Sequence, residues 1–202
     1  MALTELSYVG GRSYIRGADL YVWFERQIAS RLRRQPVALR QFRMVQEVAR
    51  DGAWCAGDAN DASATLDVVD AAGQTERYSF SETGAVITRK VSDIPSNLRG
   101  LTKTGAFAGR ATLAESSDIV GLLNGLIEAN KGLHVETLAA RGLPSDRIRL
   151  IYIEDFPLAS PSTVAELEFR HLGERKARDR IYTLNAVRLP GSRDELRICY
   201  SY

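Results

Sequence analysis

The feature that most constrains this chain is a change of hydrophobic period that occurs twice. A stretch with helical spacing, from about Ala18 to Arg34, gives way to segments in which apolar residues alternate with polar ones. A second helical stretch, from about Asp118 to Ala140, is followed by another alternating run that reaches the C-terminus. A period near 3.6 puts side chains on one stripe of a helix, and a period of two puts them on one face of a strand. Alternating segments joined by short turns pair antiparallel, because parallel neighbours need long crossovers. The expected class is therefore α+β, with two helix-plus-antiparallel-sheet repeats offset by roughly 100 residues, about one small domain.

In the first copy, Leu6 to Ile15 reads as extended and Gly17 breaks it, leaving Asp19 placed to cap the helix. Leu20, Phe24, Ile28 and Leu32 form the apolar stripe with Trp23 beside them, and Pro36 ends it. Phe42, Met44 and Val48 then alternate, Asp51-Gly52 is a hairpin signal, and Trp54 lies in the returning strand. Ala64, Leu66 and Val68 alternate before a turn at Ala71 to Gln74, and Tyr78 and Phe80 alternate after it. Asp93 to Thr104 reads as a linker, since it holds Pro95, Ser96, Asn97 and Gly100 and few large apolar residues. The expected organisation is a first half over 1–92, a linker over 93–104 and a second half over 105–202.

The second helix carries its apolar face on Leu122, Leu123, Leu126 and Ile127, and Arg141-Gly142-Leu143-Pro144 closes it. Strands are expected over 148–156, 164–172, 180–189 and 195–202. Ala165, Leu167 and Phe169 face one way, as do Leu196, Ile198 and Tyr200, and Pro190 to Arg193 forms the last turn.

Composition narrows the function classes. The apolar fraction is 45% and the charged fraction 26%, which is ordinary for a globular protein. A net charge of +2 argues against nucleic-acid binding by field alone. The one basic cluster, Arg31, Arg33, Arg34 and Arg40, fits either a solvated helix end or a patch for a phosphate or an acidic carrier protein. Cys55 and Cys199 have no metal-ligand spacing and read as buried free thiols, so neither a metal site nor a cofactor is expected. The first residues lack a basic region followed by an apolar run, and no apolar run is long enough to span a bilayer. A cytoplasmic protein without membrane contact is the expectation.

Candidate chemistry gathers in two places. At 100° per residue, Asn130 and His134 fall within about 40° of the direction of Leu123 and Ile127, so two polar residues share the apolar stripe. Each needs a hydrogen-bond partner in the core, or acts on a ligand lying along that face. Histidine could then serve as acid or base. Asn124, Glu128 and Lys131 run along a flank of the same helix. Gly121, Gly125 and Gly132 occupy the back, at about 1 kcal/mol each against alanine, which calls for the close approach of a companion helix or of a second copy in a homo-oligomer. In the first half, Tyr14, Arg16, Asp19 and Tyr21 straddle Gly17, where backbone N–H groups at a helix start can meet an anion. Asp155-Phe156, before Pro157, ends a strand where ligands are often held. No phosphate-binding loop, nucleophile elbow or zinc-binding helix motif is present.

The order of helix and antiparallel strands, written twice, resembles the double hot-dog fold, in which a long helix is wrapped by a curved antiparallel sheet. The run Leu122-Leu123-Asn124-Gly125-Leu126-Ile127-Glu128-Ala129-Asn130-Lys131 is similar in character to the central helix of that superfamily. The resemblance implies action on acyl thioesters of coenzyme A or of a carrier protein, as a thioesterase or a related biosynthetic enzyme. It casts Glu128 or Asn130 as the polarising or basic residue and His134 as acid or base. The chain lacks a His-Phe-Pro-Gly-like segment, which speaks against dehydration. Trp23, Leu123 and Ile127 would line an acyl channel, with Tyr14, Arg16, Asp19 and Tyr21 at its mouth. Two other classes stay open: a non-catalytic module for a small apolar ligand or a partner, and a secondary-metabolite lyase or isomerase using Tyr14, Arg16 and Asp19. The asymmetry of the halves favours one site combining the first loop with the second helix over two matching sites.

Overall fold

The computed structural model of the chain describes residues 6–9, 14–29, 32, 36–91, 97–114, 119–158, 166–189 and 195–202. The chain divides into two units, Met1–Pro95 and Ser96–Tyr202. The first contains β1 (Tyr8–Val9), α1 (Gly17–Gln27), β2 (Pro36–Met44), β3 (Arg50–Ala56), β4 (Ala64–Asp70), β5 (Thr75–Val86) and β6 (Lys90–Val91). Its antiparallel strands run in the order β3-β5-β4-β2, and β1 pairs with β6 in parallel.

Helix α1 starts where expected and stops early. Arg16, in extended conformation, occupies the N-cap, and Asp19 lies inside the first turn. The expected Asp19 cap is thus corrected: its carboxylate accepts two hydrogen bonds from the Arg16 guanidinium, at 2.8 and 2.7 Å. An acid in the first turn still complements the positive end of the helix. The far end leaves helical geometry at Ile28 (φ −121°, ψ −60°), so α1 does not run on to Arg34. The Gln27 side chain there accepts the backbone N–H of Trp54 at 3.0 Å, which ties the helix end to the edge strand β3. Ile28 and Leu32 continue the stripe as half-buried residues beyond the helix. Of the basic cluster, Arg40 is exposed on β2, and Arg31, Arg33 and Arg34 lie outside the described residues. Leu20 and Phe24 are fully buried, and the Phe24 ring meets Trp54 and Tyr78 edge-on at 5.6 and 5.1 Å.

Asp51-Gly52 is not a hairpin turn but lies within β3. The pairing with β5 shifts register between Arg50 and Gly52. A Cβ at Gly52 would collide with the Ser81 carbonyl oxygen and come 2.7 Å from the Phe80 ring. The glycine serves close strand approach, a role that local sequence does not separate from a turn. Cys55 is exposed and Cys199 buried, which corrects the expectation of two buried thiols. The period of two explains it, since Trp54 points inward and its neighbour must point out.

The second unit contains β7 (Leu98–Gly105), β8 (Ala108–Leu113), α2 (Ile119–Ala140), β9 (Arg149–Pro157), β10 (Glu166–Ala177), β11 (Arg180–Arg188) and β12 (Glu195–Ser201). Its antiparallel strands run β9-β12-β11-β10-β8-β7. The strands after α2 follow the alternation in the sequence: Leu167, Phe169, Leu196, Ile198 and Tyr200 are all buried. Ala165 and the turn at Pro190 to Arg193 lie outside the described residues. Residues 98–104 are strand rather than linker. Register shifts beside Gly100 and Gly105 break the alternation that would have revealed β7.

Helix α2 closes as its stop signal predicts. Gly142 has φ 68°, its N–H reaches Ala139 O at 3.0 Å, and the Leu143 N–H reaches Leu138 O at 2.9 Å. These two bonds form a Schellman motif. Gly125 and Gly132 face the β7–β8 hairpin and its approach, and not a companion helix. A Cβ at Gly125 would lie 2.7 Å from Asn97 Oδ1 and from a Leu113 methyl, and one at Gly132 would lie 2.6 Å from a Leu101 methyl. The glycines let α2 settle onto the β7–β8 hairpin.

The two units share the order of helix then strands but not the pairing of those strands. The strands after α1 lie side by side as β2-β4-β5-β3, whereas those after α2 lie as β9-β12-β11-β10. Among the described residues no helix is long and apolar enough to cross a membrane.

The glycines separate two kinds of close contact. Gly52→Ala meets backbone and should destabilise the protein by about 2 kcal/mol, as overpacking does. Gly132→Ala meets the tip of a flexible leucine and gains helix propensity, so its change should stay within about 1 kcal/mol of zero. Denaturant midpoints of the two variants check the ranking.

Candidate functional site

The residues expected at the mouth of a channel are occupied within the first unit. Arg16 and Asp19 form a closed pair in which the side chains are 12% and 4% exposed. Tyr21 donates to Glu25 Oε1 at 2.9 Å, and burial with that carboxylate beside it raises the phenol far above its ordinary range. Trp23 Nε1 donates to the Gly52 carbonyl at 3.4 Å. Tyr14 is half-buried, and the next residue, Ile15, donates its backbone N–H to Val48 O at 2.9 Å.

In the second unit the polar residues of the α2 stripe meet others from three strands and a turn. Asn130 and His134 are both fully buried, as are Thr183 and Asn185 on β11. His134 Nδ1 lies 2.8 Å from the Asn130 backbone carbonyl. A carbonyl only accepts, so Nδ1 carries the proton and Nε2 accepts from the Thr183 hydroxyl, its other partner. Asn185 Nδ2 donates to the Phe107 carbonyl at 2.8 Å and to Asn130 Oδ1 at 2.6 Å. The other end of that amide, Oδ1, stands 3.1 Å from Nδ1 of the half-buried His171 on β10. Phe107, in the turn between β7 and β8, sits between the histidines, with its ring 4.7 Å from His134 and 5.2 Å from His171. The turn is pinned to α2 by the Phe107 N–H, which donates to Thr137 Oγ1 at 3.0 Å. Tyr200 on β12 ties down the helix by donating to the Ile127 carbonyl at 2.9 Å.

The chain's two histidines therefore converge on one aromatic ring, joined through two asparagines. At the rim, Arg141 lies over Phe107 at 4.7 Å and pairs with Glu174 at 2.9 Å. Tyr202 donates to the same carboxylate at 2.6 Å. Against the opposing effect of burial, the bonds from Tyr202 and Arg141 hold Glu174 below the usual carboxylate range. Glu128 follows a different direction: it precedes Asn130 by two positions, about 200° around the helix, and is half-buried.

One polar atom in this network is unmatched. Asn130 Nδ2 is buried and has no hydrogen-bond partner among the described residues. Turning the amide over does not rescue it, because it would then face the Asn185 NH2 group, which the Phe107 carbonyl holds in place. A buried donor left unpaired costs on the order of 1–3 kcal/mol, so the group is poised for an acceptor.

Sequence reasoning placed Asn130 and His134 on the inward stripe and missed their strand partners. The signal lay in the strand parity. Asn185 shares its side of β11 with Thr183 and Val187, all buried. His171 continues the inward row of Leu167 and Phe169, directly opposite Asn185 in the ladder.

No protein-family model matches the chain, and no curated protein sequence matches it. Solved structures similar to it include dehydratase domains and thioesterases. The dehydratase domain of PpsC from Mycobacterium tuberculosis, solved in complex with C12:1-CoA, aligns over 93% of this chain and 84% of its own at 12% identity, with a TM-score of 0.46. A bifunctional dehydratase-cyclase domain of ambruticin biosynthesis aligns over 93% and 81% at 10% identity, also with a TM-score of 0.46. An acyl-ACP thioesterase from Bacteroides thetaiotaomicron aligns over 96% and 94% at 13% identity, with a TM-score of 0.39. No residue role passes from these proteins to this chain.

Burial pushes the His134 imidazole down from 6.5 to about 4, with smaller opposing effects from the Asn130 carbonyl and Glu174. Because the folded value is depressed, the unfolded chain binds the proton first as pH falls. This contribution to stability is complete above about pH 6.5 and lost toward pH 4. It amounts to on the order of 3 kcal/mol. Denaturant unfolding of the wild type should weaken over that window, and His134→Gln should lose most of the dependence.

Proposed function

We propose that this protein acts on acyl thioesters, with the unpartnered amide N–H of Asn130 donating to the thioester carbonyl. That orphaned donor is the observation that carries the reading. It sits fully buried on a helix face otherwise lined by Leu123, Leu126 and Leu133, the surroundings an acyl chain prefers to water. A donor aimed at a carbonyl inside such a face gains strength as negative charge develops on the oxygen, because no water competes. The α2 resemblance to a hot-dog central helix points the same way, and the substrate is an acyl group on coenzyme A or on a carrier protein. The double hot-dog arrangement belongs to the same proposal: the element order supports it, and the differing strand pairing limits the repeat to that order.

His134 enters as support rather than as the proton carrier, since both its ring nitrogens are engaged and the ring stays neutral at pH 7. That observation also favours a second reading, in which the unit binds a small apolar ligand or an acyl thioester without turning it over.

Thiol release from a panel of acyl-CoA thioesters decides between them. Asn130→Ala should lower kcat about 100-fold with little change in KM, the effect of losing one oxyanion donor. Glu128→Ala in the same assay decides whether that flank reaches the ligand. An acyl thioester retained in native mass spectrometry without turnover would establish the binding module. A chain that neither retains nor hydrolyses any thioester of the panel would sink both.

A further inference from the structure

We infer that His171 is the general base of this site and that Asn185 is the positioning residue that fixes its tautomer; the inference rests on the acyl-thioester reading above. The argument begins with the Asn185 amide, whose orientation is forced. One end lies 2.8 Å from the Phe107 backbone carbonyl, which can only accept, so that end is the NH2 group. The other end is then the carbonyl oxygen, and it faces His171 Nδ1 at 3.1 Å. An oxygen acceptor there requires His171 to carry its proton on Nδ1. In the neutral ring Nε2 therefore holds the lone pair.

Three further facts make that lone pair useful. Nε2 of His171 has no hydrogen-bond partner among the described residues, in contrast to the fully engaged His134. His171 is half-buried, where His134 is fully buried, so water and ligand can reach it. The same Asn185 NH2 group that faces Phe107 also sets the orientation of the Asn130 amide, at 2.6 Å. One side chain thus orients both the proposed carbonyl donor and the proposed base, and a base oriented by a third group is the recurring arrangement of acid–base sites.

The reaction this arrangement serves is hydrolysis. A water molecule gives a proton to His171 Nε2 while its oxygen bonds to the acyl carbon, and the carbonyl electron pair moves onto the oxygen held by Asn130. Collapse of that intermediate breaks the carbon–sulfur bond. The proton on Nε2 passes to the leaving sulfur, so the products are a carboxylic acid and a thiol, and the imidazole returns to its starting state.

Two measurements test the inference. Heteronuclear NMR of the imidazole nitrogens should find neutral His171 in the Nδ1–H form, and Asn185→Ala should release it toward the Nε2–H form. An Nε2–H tautomer in the wild type overturns the inference whatever the activity. In the thioester assay, His171→Ala should lower kcat by about 100-fold or more with KM nearly unchanged, the ordinary contribution of a positioned base. Exogenous imidazole should restore part of that rate, and the acidic limb of the pH profile should disappear. The charged or titratable groups near His171 are Glu174 on its own strand, His134 on α2, and Arg141 and Tyr202 at the rim. Full activity in a folded His171→Ala, or a loss that imidazole does not rescue, refutes the base while leaving the Asn130 reading standing. If the wild type hydrolyses none of the panel, the acyl-thioester reading fails and the base falls with it, even where the NMR upholds the tautomer.

Discussion

Asn185 uses both N–H donors and the oxygen of its amide to hold separate pieces of the second unit together. Its NH2 group takes the carbonyl of the β7–β8 turn and the side chain of α2, and its oxygen takes the histidine across the ladder. Inside a core, such bonds are stronger than in water, and their loss leaves charge-bearing atoms stranded. The orientation of Asn130 and the tautomer of His171 follow from that one side chain, which shares with Thr137 the placing of the turn. Apolar packing fills the space around it without specifying any of the three.

The contrast between the two histidines shows how environment divides one residue type into two roles. His134 lies fully buried and satisfied at both nitrogens, which fixes it as a neutral strut between α2 and β11. Among the described residues His171 is bonded at one ring nitrogen, and it lies nearer the surface. Phe107 separates and orients both rings, and it does so from a left-handed backbone conformation (φ 55°) that a bulky residue seldom adopts. The Thr137 hydroxyl that receives the Phe107 N–H helps hold that conformation in place.

Much of the fold was legible because its rules are local. The alternation of Leu167 and Phe169, and of Leu196, Ile198 and Tyr200, reports a buried face directly. Gly142 and Leu143 report the end of α2 through a geometry that glycine favours. What stayed hidden depends on distant partners. Whether Asp51-Gly52 turns or pairs is decided by Ser81 and Phe80 on β5. Whether 98–104 links or pairs is decided by β8, and where α1 stops is decided in part by Trp54. The site follows the same division. A helical wheel finds Asn130 and His134, but only the strand register brings Asn185 and His171 to them.

Helix α2 has no acidic residue in its first turn and no basic residue in its last, and three glycines interrupt it. A helix interrupted in this way draws most of its stability from what it packs against. Its stability comes from partners on both sides in the chain: the β7–β8 hairpin before it, through Leu101, Leu113 and Phe107, and Thr183, Asn185 and Tyr200 after it. The order of assembly follows from this. The hairpin β7–β8 can close early because its strands are neighbours, and it offers α2 a first surface, whereas the polar contacts of α2 wait for β11 and β12. The polar centre of the unit is thus among the last parts to form. Its completion depends on long-range closure, because the helix and the strands that supply its partners lie some fifty residues and more apart.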